Sequence, residues 1–325
     1  MGAAVTIGRA VCVFLLVFAG ARAVSAAEKY AFVVTGASGG EEYARQFESL
    51  RAKFLSTLRE TWGYPDDHIV MLAEQPGRNV ERATRENVER ALGDLRRRMT
   101  KSDQLLVLLI GHGSGEGEAA RFNLVGPDLR ASEWAGLLRG TPGRLIFVDT
   151  SGASYPFLHA LAGPGRVVLT ATNSAAQQFE TVFPEFFVGA FADQAADADK
   201  NGRVSIWEAF AYASAQARAW YEQHGQLPTE RALLDDTGAG VGREADVPGP
   251  DGELASVTFL DQHNTAAAGS AAISALVARQ AELEAQVDAL RARKQQMPPE
   301  EYAAALEKLL IELARVSQQI RAKSN

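Results

Sequence analysis

Two short segments carry the residues best suited to nucleophilic chemistry: Gly111-His112-Gly113-Ser114-Gly115 and Asp149-Thr150-Ser151-Gly152-Ala153-Ser154. Flanking glycines let the backbone turn tightly and leave the imidazole of His112 exposed as a proton acceptor. The hydroxyl of Ser151 attacks a carbonyl only if a base takes its proton, and hydroxyl nucleophiles usually work with a histidine oriented by a buried carboxylate. Asp149, Glu116 and Glu118 are the nearby acids, and the sequence singles out none of them as the orienter. Each segment follows an apolar run, at residues 105–110 and 144–148. In open parallel sheets ligand sites lie beyond the carboxyl ends of the strands. If the two runs are neighbouring strands, His112 and Ser151 face one crevice.

A second constellation suits a hard cation. Over residues 197–208, oxygen donors stand at positions 1, 3, 5, 9 and 12 of a twelve-residue loop: Asp197, Asp199, Asn201, Ser205 and Glu208. Gly202 takes the sixth position and Arg203 the seventh, where a backbone carbonyl is the ligand. This is EF-hand spacing, expected to hold a structural Ca²⁺. Ser205 and Glu208 alone would also make a capping box for the helix that follows, but capping does not require donors at 197, 199 and 201.

The elements that must position these groups alternate. Short, mostly apolar runs at 30–35, 68–72, 105–110, 144–149 and 166–172 read as buried parallel strands. Between them, 41–62, 84–99, 131–139 and 154–162 read as helices, with further helices over 181–195 and 206–223 and a late edge strand over 254–260. The order predicts an α/β fold, a doubly wound and mainly parallel sheet with helices on both faces. This domain spans 28–261. A Thr/Ala/Gly/Ser linker, 262–272, separates it from a glycine-free region, 273–322, in which apolar residues recur at coiled-coil spacing on both sides of Pro298-Pro299. That pattern predicts an antiparallel helical hairpin, with a role in packing or in self-association.

Composition narrows the function classes. Arg9, an apolar run over 10–20 and the small residues Val24-Ser25-Ala26-Ala27 read as a cleavable signal peptide, 1–27, so the chain is expected to be exported, periplasmic or extracellular. The run falls short of the roughly 20 residues of a spanning helix, so no permanent membrane span is expected after cleavage. Cys12, the single cysteine, leaves with the leader, and the mature chain must fold without disulfides. A formal charge of −7 with no basic stripe disfavours nucleic acid as a partner.

The order of apolar strand, Gly-His-Gly, apolar strand, Asp, small residue and nucleophile position resembles the legumain and caspase group of cysteine peptidases, the caspase-haemoglobinase fold. From Tyr30 to about Asp236 the chain is similar to the bacterial legumain-like proteins, including the segment ending Leu-Leu-Ile-Gly-His-Gly and the Thr-Ala-Thr-Asn at 170–173. The resemblance implies that His112 is the catalytic histidine, that Ser151 stands where the family has its cysteine, and that the backbone N–H groups of Gly111 and Gly113 serve an oxyanion site. It also implies a side-chain pocket near the start of the first long helix. There, among Glu41, Glu42, Tyr43 and Arg45, Arg45 is the candidate for an acidic or amide side chain, unless it is a solvated arginine. A thiol with a pKa of about 8.5 yields thiolate beside a histidine far more readily than serine yields alkoxide. The expected function is therefore a pseudo-peptidase with degraded activity that binds peptides or protein partners. Two alternatives stay open: an active hydrolase using a Ser151–His112 dyad, and a scaffold that acts through its hairpin.

Two further patterns are weaker. Residues 34–40, Val-Thr-Gly-Ala-Ser-Gly-Gly, resemble a dinucleotide-binding turn, but Glu42 occupies the place of the last glycine. The same residues spell Gly-x-Ser-x-Gly around Ser38, too early in the chain for a nucleophile elbow. A plain turn ahead of the 41–62 helix accounts for them.

Overall fold

The computed structural model describes residues 27–174, 177, 179–261, 276, 279–280, 282–283, 286–287, 289–291, 293–294 and 297–324. The expected signal peptide, apart from Ala27, and the linker at 262–272 lie outside them, as does much of the first half of the expected hairpin.

Seven strands form the main sheet: β1 (Lys29–Thr35), β2 (Ile69–Ala73), β3 (Glu81–Arg82), β4 (Gln104–Ile110), β8 (Arg144–Asp149), β9 (Arg166–Thr170) and β10 (Leu233–Asp235). Their order is β10-β9-β8-β4-β1-β2-β3, all parallel except β10, which runs antiparallel to β9. All seven residues of β4 are buried, as its unbroken apolar run requires of a strand covered on both faces. Successive side chains feed two separate cores. Ala31, Val33, Leu106, Leu108, Ile146 and Val148 pack with α1 (Glu41–Ser56), α5 (Phe183–Ala190) and α6 (Ile206–Gln223). Phe32, Val34, Leu105, Val107, Leu145 and Phe147 pack on the other face with α2 (Arg85–Arg98), α3 (Ala131–Leu137) and α4 (Tyr155–Leu161). Helices on both faces of a mostly parallel sheet make this the doubly wound α/β architecture.

Because β2 lies on one side of β1 and β4 on the other, the strand order reverses between β1 and β4. The turns after these two strands, at Gly36–Ser38 and Gly111–Gly113, therefore meet at the topological switch point. A small antiparallel sheet of β5 (Gly113–Ser114), β6 (Arg121–Phe122) and β7 (Leu129–Arg130) rises from it.

Two expected elements differ. No edge strand forms over 254–260. That stretch holds a 3-10 turn, Ala255–Val257, and one isolated bridge from Phe259 to Ser205. Its carbonyls are satisfied instead by side chains: Lys29 Nζ donates to Phe259 O and Asp261 O at 2.9 and 2.7 Å, Gln104 Nε2 to Phe259 O at 3.0 Å, and Tyr64 Oη to Leu260 O at 2.8 Å. A backbone paired in this way does not need a ladder. The sheet edge goes to the three-residue β10, too short for a period-2 pattern. The expected 181–195 helix is also shorter: its start is fixed from afar by Glu230, which accepts from Val182 N and Phe183 N at 2.8 and 2.6 Å, and after Ala190 the chain leaves the helix for a 3-10 turn, Gln194–Ala196. Burial pushes the Glu230 carboxyl up to about 7.

The C-terminal helix, α7 (Pro299–Ser324), starts at the predicted proline. Arg279 reaches Glu312 at 2.6 Å and Lys294 lies 5.5 Å from the Tyr302 ring centroid, so the preceding segment runs antiparallel to α7. No described helix is long and apolar enough to cross a membrane.

Candidate functional site

Adjacent pairing of β4 and β8, with Leu109 opposite Asp149, brings the two chemistry-bearing turns into contact. A Cβ built on Gly113 would fall 2.7 Å from Ser151 Oγ and 1.9 Å from Gly152 O, so only glycine fits beside the serine turn. Gly111, with φ of +155, abuts Gly36 across the switch point. Gly113 itself belongs to β5, whose ladder pairs it with Phe122.

Although the turns touch, the two side chains are engaged separately. His112 Nε2 lies 3.0 Å from Ser38 O. A carbonyl only accepts, so Nε2 carries the proton and Nδ1 is the basic nitrogen. The ring is fixed edge-on by Tyr43 and Phe47 of α1, with centroids at 4.7 and 5.1 Å. Ser151 is fully buried, and its hydroxyl is 2.7 Å from Asp149 Oδ1 and 2.9 Å from Gly152 O. Ser151 N also donates to Asp149 Oδ1 at 3.0 Å. Asp149 is itself fully buried and its Oδ2 has no partner. Burial pushes the Asp149 carboxyl up to about 7, and the two donations from Ser151 only partly offset that.

Around the imidazole the rim is acidic. Ser38 Oγ donates to Glu74 Oε2 at 2.5 Å, which makes the Gly-x-Ser-x-Gly pattern a turn tied to the end of β2. The Tyr43 hydroxyl is held by Glu180, a bond that raises its pKa, and Glu180 Oε1 is sheltered without a partner. Arg45 pairs with Glu41 one helical turn away at 3.7 Å, both side chains largely exposed. Sequence reasoning passed over Glu74, Glu180 and the packing role of Phe47. Glu74 could have been found by its position just beyond β2 and Phe47 by its position on α1, whereas Glu180, in the segment between β9 and α5, carried no such signal.

The 197–208 loop closes on itself. Asp197 accepts from Asn201 N at 3.0 Å and Gly202 N at 2.8 Å, and Asp199 from Asn201 N at 2.9 Å. Asn201 Oδ1 accepts from Arg203 N at 2.8 Å. Glu208 Oε2 accepts from Ser205 N and Ser205 Oγ, both at 2.8 Å, while Oε1 accepts from Ala198 N at 3.0 Å. One carboxylate oxygen each from Asp197, Asp199 and Glu208 lie within 4.8 Å of one another. Burial, with the charges of Glu208 and Asp197 adding to it, raises the Asp199 carboxyl. The Arg203 guanidinium turns outward to Asp261, at 2.9 Å, and lies over the Phe259 ring.

No protein-family model matches the sequence, and no curated protein is significantly similar to it. Among solved structures, one from Geobacter sulfurreducens determined by structural genomics is similar at 14% identity, covering 67% of this chain and 97% of that chain, with a TM-score of 0.43.

Proposed function

We propose that this chain is an exported pseudo-peptidase of the legumain and caspase type, which binds peptide segments or protein partners at the β1/β4 switch point without cleaving them. The observation that carries the reading is the state of the nucleophile position: the Ser151 hydroxyl is buried and donates to Asp149 while the imidazole donates to Ser38. A hydroxyl becomes nucleophilic when its proton is passed to a base aligned with it. Here the acceptors within reach of that proton are Asp149 Oδ1 and Gly152 O, and the imidazole, which would have to take it, is engaged with Ser38 O instead. Support for kinship with the peptidases comes from Gly-His-Gly and Asp-Thr-Ser at the carboxyl ends of the neighbouring strands β4 and β8. Export rests on the leader-like first residues.

The test is incubation with a diverse peptide library, read by mass spectrometry. No cleavage above buffer, with peptides still retained by the protein, is the expected result. Turnover abolished by both Ser151→Ala and His112→Ala would replace this reading with the active dyad.

A second proposal concerns the 197–208 loop, which we assign as a Ca²⁺ site that clips α6 to the preceding turn. Three carboxylates converge there, and a divalent cation relieves the repulsion that the metal-free loop carries. The ligands would be Asp197, Asp199, Asn201, Ser205, Glu208 and the carbonyl of Arg203.

A further inference from the structure

We propose that α7 pairs with α7 of a second copy of this chain, the two helices running antiparallel about a two-fold axis near Ile311. The helix carries two apolar seams, and the hairpin covers one. Tyr302 and Val316 are buried on that side, facing the segment that contributes the fully buried Leu283 and Val287. The other seam, Ala303, Leu310 and Ala314 with Ile311 beside it and the half-buried Leu306 between the two, lines one shallow apolar depression whose edge is Tyr302. Leu310 is 39% and Ile311 46% exposed. A helix with one packed and one bare seam is the unit of a larger bundle, and two hairpins joined through the bare seams make four helices around one core.

Charge selects the partner and its direction. Glu307 and Arg315 border the bare seam at equal distances along the chain from Ile311. Glu312, between them, is taken by Arg279 within the hairpin at 2.6 Å and also feels the charges of Lys308 and Arg315, but no ion pair within 4 Å is made by Glu307 or Arg315 among the described residues. Glu300 and Glu301 stand where the helix dipole favours acids, but Glu307 and Arg315 are mid-helix and the dipole does not account for them. A parallel copy would set Glu307 against Glu307 and Arg315 against Arg315. Turning the copy round sets each Glu307 opposite an Arg315, twice by symmetry, and the resulting isologous contact is closed and does not propagate.

The experiment is sedimentation equilibrium on the full chain. The wild type is expected to be a dimer, and Leu310→Glu with Ile311→Glu to be a monomer with unchanged far-ultraviolet circular dichroism. Glu307→Arg and Arg315→Glu, each alone, should weaken association about tenfold, and the two together should restore it. A wild type that stays monomeric, a dimer indifferent to the Leu310 and Ile311 changes, or charge reversals that fail to rescue each other would each overturn the proposal.

Discussion

Replacing Asp149 by asparagine isolates the energetic consequence of burying this carboxyl under the candidate site. The side chain titrates near 3.8 when unperturbed and near 7 in the fold. Since the folded value is the raised one, its contribution to stability is full below the unfolded pKa and is lost as pH rises through the folded one. At pH 8 the folded carboxylate carries nearly the whole shift, about 4 kcal/mol at 1.36 kcal/mol per unit. At pH 5 the folded group keeps its proton and the unfolded chain has lost most of its own, so the deficit is only about 2 kcal/mol. Asparagine cannot ionise, its Oδ1 still accepts from Ser151, and its amide leaves a donor where the protonated acid leaves an O–H. The stability of Asp149→Asn relative to wild type should therefore rise by about 2–3 kcal/mol between pH 5 and pH 8. Glu230 shifts in the same direction but is present in both proteins and cancels in the difference. Urea unfolding at the two pH values measures it, and parallel curves would refute the argument.

Other outcomes follow from the same geometry. Gly113→Ala drives a methyl into Gly152 O and Ser151 Oγ, and should destabilise by about 2 kcal/mol or more or fail to fold, as thermal unfolding will report. Calcium at about ten times its dissociation constant should add about 1.4 kcal/mol of stability, lost with a chelator and absent in Asp197→Ala; equal melting with and without the ion would remove the site. Because the fold also raises the Asp199 carboxyl, its contribution without metal falls as pH rises, and the gain from calcium should grow over the same range.

Much of the scaffold could be read from residue order. An unbroken apolar run such as β4 has few alternatives to a covered strand, and Gly-His-Gly immediately after it locates a sharp turn. Proximity of the two turns followed from one assumption, that β4 and β8 are neighbours, and the sheet order satisfies it. What resisted reading was set by groups distant in sequence. Glu230 fixes the start of α5 from 47 positions away, and the side chains of Lys29, Tyr64 and Gln104 hold 259–261 out of the sheet. Orientation of the Ser151 hydroxyl was equally hidden. Asp149 was visible as a nearby acid, but only its complete burial, and a backbone donation that seats Oδ1 beneath the serine, decide where the proton points.

Reaction with a fluorophosphonate that labels activated serines, followed by intact-mass measurement, tests most directly whether this hydroxyl is silent. The account predicts an unmodified chain after prolonged exposure at pH 7–8. A stoichiometric adduct mapped to Ser151 and abolished by His112→Ala would contradict it.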